Sequence, residues 1–148
     1  MILGDLRRLE KLSNLTLVIP CSGIGKPLGT ISREAAYCVV EDLKKGDTDI
    51  LCLSLLVMGD EESRIKVRNQ QCIAVDGCTS ECSKKNLQLA GANLVGSFRV
   101  VDLLKDHRDL KPKSTTFIDE DGRRTARLLA EQIASKVDEC KVKGSGTP

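Results

Sequence analysis

The chain has 148 residues, 41% of them apolar, 30% charged and only 2% aromatic, with a formal net charge of +2. That length supports one domain, able to bury roughly two-thirds of its unfolded surface without disulfides. The near balance of 23 basic and 21 acidic side chains and the scarcity of rings argue against nucleic acid and an anionic membrane as partners, while a single His excludes any mechanism built on several imidazoles.

Residues 1–12 alternate apolar and charged side chains, and the apolar run at 15–19 is too short for a signal-peptide core or a membrane span. Seven cysteines, an odd number in a chain that needs no staples, fit a reducing compartment. A cytoplasmic protein is expected, its thiols free, metal-bound or redox-active.

Leu15-Thr16-Leu17-Val18-Ile19 predicts a buried parallel strand, closed by the glycine-rich turn Pro20-Cys21-Ser22-Gly23-Ile24-Gly25. Ile31, Ala35, Ala36, Val39, Val40 and Leu43 then recur at helical spacing, with Thr30 or Ser32 as cap and Lys44-Lys45-Gly46 as stop. Ile50-Leu51-Cys52-Leu53 repeats the strand pattern. Residues 54–68 suit a solvent-facing helix ending before Gln70, and Cys72-Ile73-Ala74-Val75 is a third strand, broken by Asp76-Gly77-Cys78.

Residues 79–90 predict a helix stopping at Gly91, and residues 94–101 a fourth strand. A less regular stretch over 105–116 precedes a last helix whose apolar stripe is Ala126, Leu129, Ala130, Ile133 and Val137. Alternating strands and helices of this kind imply a three-layer α/β domain over residues 1–143. Its mostly parallel sheet of about four strands, in the order 2-1-3-4, is covered by helices on both faces, and residues 144–148 form a flexible tail.

In that order the first three strand ends are neighbours. Cys21 follows the first strand, Cys52 lies near the end of the second, and Cys78 and Cys82 follow the third. These four thiols therefore meet at the carboxyl edge, where such sheets bind ligands. Spaced i and i+4, Cys78 and Cys82 are expected one above the other on the first helical turn, where free amides and the helix dipole favour thiolate. Four sulfurs suit zinc, with Cu(I) or an iron–sulfur cluster as competitors. The alternative is burial of small apolar side chains at strand ends.

Pro20-Cys21-Ser22-Gly23, Ile50-Leu51-Cys52-Leu53 and Ala74-Val75-Asp76-Gly77-Cys78-Thr79-Ser80-Glu81-Cys82-Ser83-Lys84-Lys85, followed by Leu89-Ala90-Gly91, resemble the DGC-domain family over about residues 15–140. That family is held to bind zinc through four chelating cysteines. The resemblance places those ligands at Cys21, Cys52, Cys78 and Cys82, and implies no general activity.

The other thiols need no function: Cys38 and Cys72 read as core positions and Cys140 as exposed. Asp76 either accepts backbone amides in its turn or orients a ligand. Lys26, Lys84 and Lys85 could offset thiolate charge, though a solvated helix face accounts for the lysine pair equally well, and His107 reads as a surface residue. Gly25-Lys26 fails as a phosphate loop because Pro20 and Pro27 occupy its essential positions. A phosphatase reading of Cys21 fails because position 27 is proline, and Arg33 lies too far along the helix to replace the missing arginine. Gly23, Gly25 and Gly29 miss the dinucleotide spacing by one residue.

A four-cysteine metal site, with zinc as the favoured ion, is the leading expectation. A closed tetrahedral site suits structure, storage or delivery, whereas an open fourth position allows Lewis-acid chemistry. The alternatives are a thiol oxidoreductase or sulfur-transfer enzyme, with Cys78 or Cys21 as nucleophile and Cys82 as resolving thiol, and an iron–sulfur electron carrier.

Overall fold

The computed structural model describes residues 3–145. In chain order the elements are α1 (Leu3–Ser13), β1 (Thr16–Pro20), α2 (Pro27–Cys38), β2 (Thr48–Ile50), α3 (Leu53–Met58) and α4 (Glu61–Asn69). They continue with β3 (Gln71–Asp76), α5 (Cys82–Leu89), β4 (Asn93–Arg99), α6 (Val100–Asp106) and α7 (Glu120–Ser145). A π-helical turn, Val39–Leu43, prolongs α2.

All four strands are parallel, as the alternation of strand and helix patterns implies, and they run in the expected order β2-β1-β3-β4. Both faces of the sheet are covered, which is why its central strands read as continuous apolar runs. Val18, Ile73 and Val75 point into a core closed by α2, α6 and α7, through Ile31, Ala35, Val100, Leu103, Leu129 and Ile133. Leu17, Ile19, Cys72 and Ala74 point the other way, onto Leu53 and Leu56 of α3, Val67 of α4 and Leu87 of α5.

Helix signals held where side chains are buried and shifted where backbone chemistry intervened. Ala126, Leu129, Ala130, Ile133 and Val137 are all buried along α7. That helix extends through Gly144 and Ser145, the first two residues of the expected tail, and residues 146–148 lie outside the described residues. Cys140, expected to be exposed, is buried on the same stripe. At the start of α2 neither Thr30 nor Ser32 is the cap. Lys26 holds that place in extended conformation and Pro27 sits at the first turn, where its missing N–H costs nothing.

Several boundaries differ from those the residue pattern predicts. β2 stops at Ile50, so Leu51 and Cys52 are already outside the sheet. β4 stops at Arg99, and Val100 and Val101 begin α6, which buries Val100 and Leu103. Residues 3–13 form a helix that buries none of its side chains, although Leu3, Leu6, Leu9 and Leu12 recur along it at every third position. Between α3 and α4, Gly59 turns the chain at φ 89°, and the Asp60 carboxylate accepts the Ser63 amide at 2.9 Å and the Ser63 hydroxyl at 2.6 Å. Among the described residues, no helix is long and apolar enough to cross a membrane.

Candidate functional site

Strand register brings the cysteines to one edge. Val18 pairs with Ile50 and Pro20 with Val75, so Cys21, Cys52 and Cys78 each lie just past the carboxyl end of neighbouring strands. Cys82 follows at the first position of α5. The four thiols nevertheless meet different surroundings.

Cys21 is buried, and its amide donates to the Val75 carbonyl at 2.8 Å. Its Sγ lies 3.2 Å from Ser32 Oγ and accepts the Gly77 amide at 3.3 Å. Burial pushes this thiol above its ordinary range. Ser32 and Gly77 pull it partly back, while the charges of Asp76 and Cys82 push it further up. Cys52 is exposed at the residue preceding α3, where the Leu55 amide, with the amide and hydroxyl of Ser54, holds it below that range. Cys78 is half-buried, and the Ser80 amide and hydroxyl lower it, with Lys26 contributing.

Cys78 and Cys82 do not stack on one helical turn. The chain turns at residues 78–80, Glu81 adopts a left-handed conformation at φ 53°, and α5 starts only at Cys82. The capping group comes from the preceding strand. Buried Asp76 accepts the Ser83 amide at 2.8 Å and the Lys84 amide at 3.1 Å, and burial raises its carboxyl above the usual value. Asp76 thus accepts backbone amides, but those of α5 rather than those of its own turn. The Ser83 hydroxyl in turn donates to the Ile19 carbonyl at 2.7 Å, tying α5 to β1.

Glycines allow the turns to nest. A Cβ on Gly77 would stand 2.8 Å from the Leu28 carbonyl carbon and 2.9 Å from the Gly29 nitrogen. Gly29 and Gly23 approach one another still more closely, and Gly23 has φ 37°. The Asp-Gly-Cys segment is therefore pressed against the start of α2, with Gly77 at the point of contact.

Among the described residues no group of three or more His, Cys, Asp or Glu side chains is placed to hold a metal ion. The four cysteines share an edge without forming a ligand shell. The donor set still fits a soft metal chemically: four thiols, two of them already held toward thiolate by amides.

The remaining residues separate from this edge. Cys72 is fully buried, donates to the Val67 carbonyl at 3.4 Å, and is pushed up to about 12 by burial alone. Cys38 is only partly buried and lies 3.5 Å from the Arg127 guanidinium, which also binds Asp42 at 2.8 Å. His107 ends α6 and borders a separate surface depression with Leu110, Arg124 and Leu128. Lys84 pairs with Glu81 at 3.5 Å. Ser32, offered by the residue pattern only as a helix cap, and Ser80, which that pattern does not single out, touch the thiols. Ser80 had a local signal, two residues after Cys78, whereas Ser32 meets Cys21 only through the fold.

A family model described as the DGC domain matches residues 17–128, well over half of the chain. No curated protein and no solved structure matches it.

Proposed function

The chain belongs to the DGC-domain family, and on that premise we propose that it binds a metal, zinc being the ion best suited, through Cys21, Cys52, Cys78 and Cys82. The observation that carries this reading is the convergence of three adjacent strand ends, each followed by one of these thiols, at a single sheet edge. The amides at Cys52 and Cys78 support it further, since zinc takes thiolates. Ser32 and the Gly77 amide would orient the Cys21 sulfur from behind. Bound by all four sulfurs, zinc would be a closed centre for structure, storage or delivery. On this reading, uptake must draw together sulfurs that stand apart in this structure.

A reducing compartment, the cytoplasm, follows as part of the same proposal, because it keeps these thiols available. The test is anaerobic metal analysis of the purified protein with a visible spectrum. About one zinc per chain, abolished by Cys78→Ser or Cys82→Ser, is the expected result. A colourless, metal-free protein with every thiol titratable refutes the metal site, and strong visible absorption selects an iron–sulfur cluster instead.

A second reading rests on one contrast. Cys78 is held down by Ser80 while Cys21 is raised by burial, so in a thiol-exchange enzyme the attacking sulfur would be Cys78, not Cys21. Cys82 would then be the resolving thiol. Rapid, selective alkylation of Cys78 in untreated protein favours this reading, whereas labelling that awaits a chelator favours zinc.

A further inference from the structure

Beside the thiol edge, a cavity of about 320 Å³ opens between the carboxyl ends of β1 and β2. Its walls are mainly apolar, with Ile24, Ile50 and Leu53 among them, and Cys52 and Tyr37 border it. Arg33 is the single charged side chain in its lining. The Arg33 Nη2 donates to the Ser22 carbonyl at 3.0 Å, which fixes the guanidinium at the cavity. Among the described residues Arg33 makes no ion pair, so a fixed positive charge with spare donors borders an apolar space.

We propose that this cavity binds a small organic anion, a carboxylate with an apolar body, whose acid group pairs with Arg33 while its tail fills the space between Ile24, Ile50 and Leu53. The volume falls in the range of small-molecule sites, and apolar walls with one placed polar group are their usual design. A carboxylate matches the guanidinium fork, and a neutral or cationic head group leaves that charge unanswered. The location follows the rule that open parallel sheets bind ligands beyond their strand ends. The proposal does not depend on metal, although Cys21 and Cys52 border both features.

The test titrates octanoate into the reduced protein by calorimetry, metal-free and again zinc-loaded, with octanol and octylamine as controls. Expected are saturable octanoate binding, about tenfold or more weaker binding of octanol, and a loss of similar size in Arg33→Gln. Ile24 is 87% exposed, so its substitutions leave the fold alone. Ile24→Asp weakens octanoate binding more than Ile24→Lys does, because like-charge repulsion adds to the apolar wall that both substitutions remove. Bound octanoate also slows alkylation of Cys52 in the metal-free protein. Equal binding of octanol, indifference to Ile24→Asp, or no saturable octanoate binding in either metal state overturns the proposal. Zinc content, measured separately, reports on the metal site whatever octanoate does.

Discussion

The amide of Gly77 donates to the sulfur of Cys21 at 3.3 Å, joining the end of β3 to the end of β1 across 56 residues of chain. Beside this bond the Gly77 backbone lies against Leu28 and Gly29 with no side chain between them. Glycine in the Asp-Gly-Cys segment is thereby tied to the thiol edge by geometry.

Gly77→Ala should therefore cost about 1–3 kcal/mol of stability, since the atoms it meets are backbone and cannot swing aside. Urea denaturation measures the loss. Faster alkylation of Cys21 should accompany it, because the covering turn is displaced; an unchanged midpoint contradicts the close packing.

Reaction of the metal-free, reduced protein with a small alkylating agent near neutral pH should follow the thiol environments. Cys52 and Cys78, held toward thiolate by neighbouring amides, label early. Cys72, pushed up to about 12 and fully buried, labels last or only on unfolding. Peptide mass spectrometry over time reads the order, and early labelling of Cys72 contradicts its burial.

Asp119 organises the segment before α7. Its carboxylate accepts the amides of Lys113 at 2.8 Å, Ser114 at 3.1 Å and Gly122 at 2.8 Å, and these bonds hold it below its ordinary value of 3.8. Depressed in this way, the group stabilises the fold above pH 3.8, and the contribution fades as pH falls through the lower folded value. The amide resonances of Lys113, Ser114 and Gly122 should shift together with a midpoint below 3.8, and Asp119→Asn should abolish that transition. A common midpoint at or above 3.8 contradicts the three-bond arrangement.

Ile133 lies at the centre of the α7 stripe with no exposed surface. Ile133→Ala should cost about 2–5 kcal/mol, the range for emptying a packed core position. A small loss in thermal or urea denaturation would mean that α7 packs loosely on the sheet.

What was legible in the sequence follows from what local pattern encodes. Leu17, Val18 and Ile19 read as a strand because all are buried, and the α7 stripe read as a helix because its period of burial is helical. Residues 3–13 carry leucine at every third position, a spacing a helix can use, yet that helix buries none of them. Val100 and Val101 read as strand because β-branched residues favour it, yet they start α6, where Val100 is buried against the sheet.

The sequence by itself determined the parallel sheet and the strand ends that Cys21, Cys52, Cys78 and Cys82 follow, because strands and their ends are local features and alternation with helices makes them parallel. The expected order 2-1-3-4, which the structure has, is what makes those ends neighbours. Only the tertiary structure decided what each thiol meets there. Ser32 comes to Cys21 from α2, Asp76 caps α5 from β3, and Glu81 breaks the helical turn expected for Cys78 and Cys82. Acidity, burial and spacing of the sulfurs depend on such contacts between distant segments, which no local pattern of residues records.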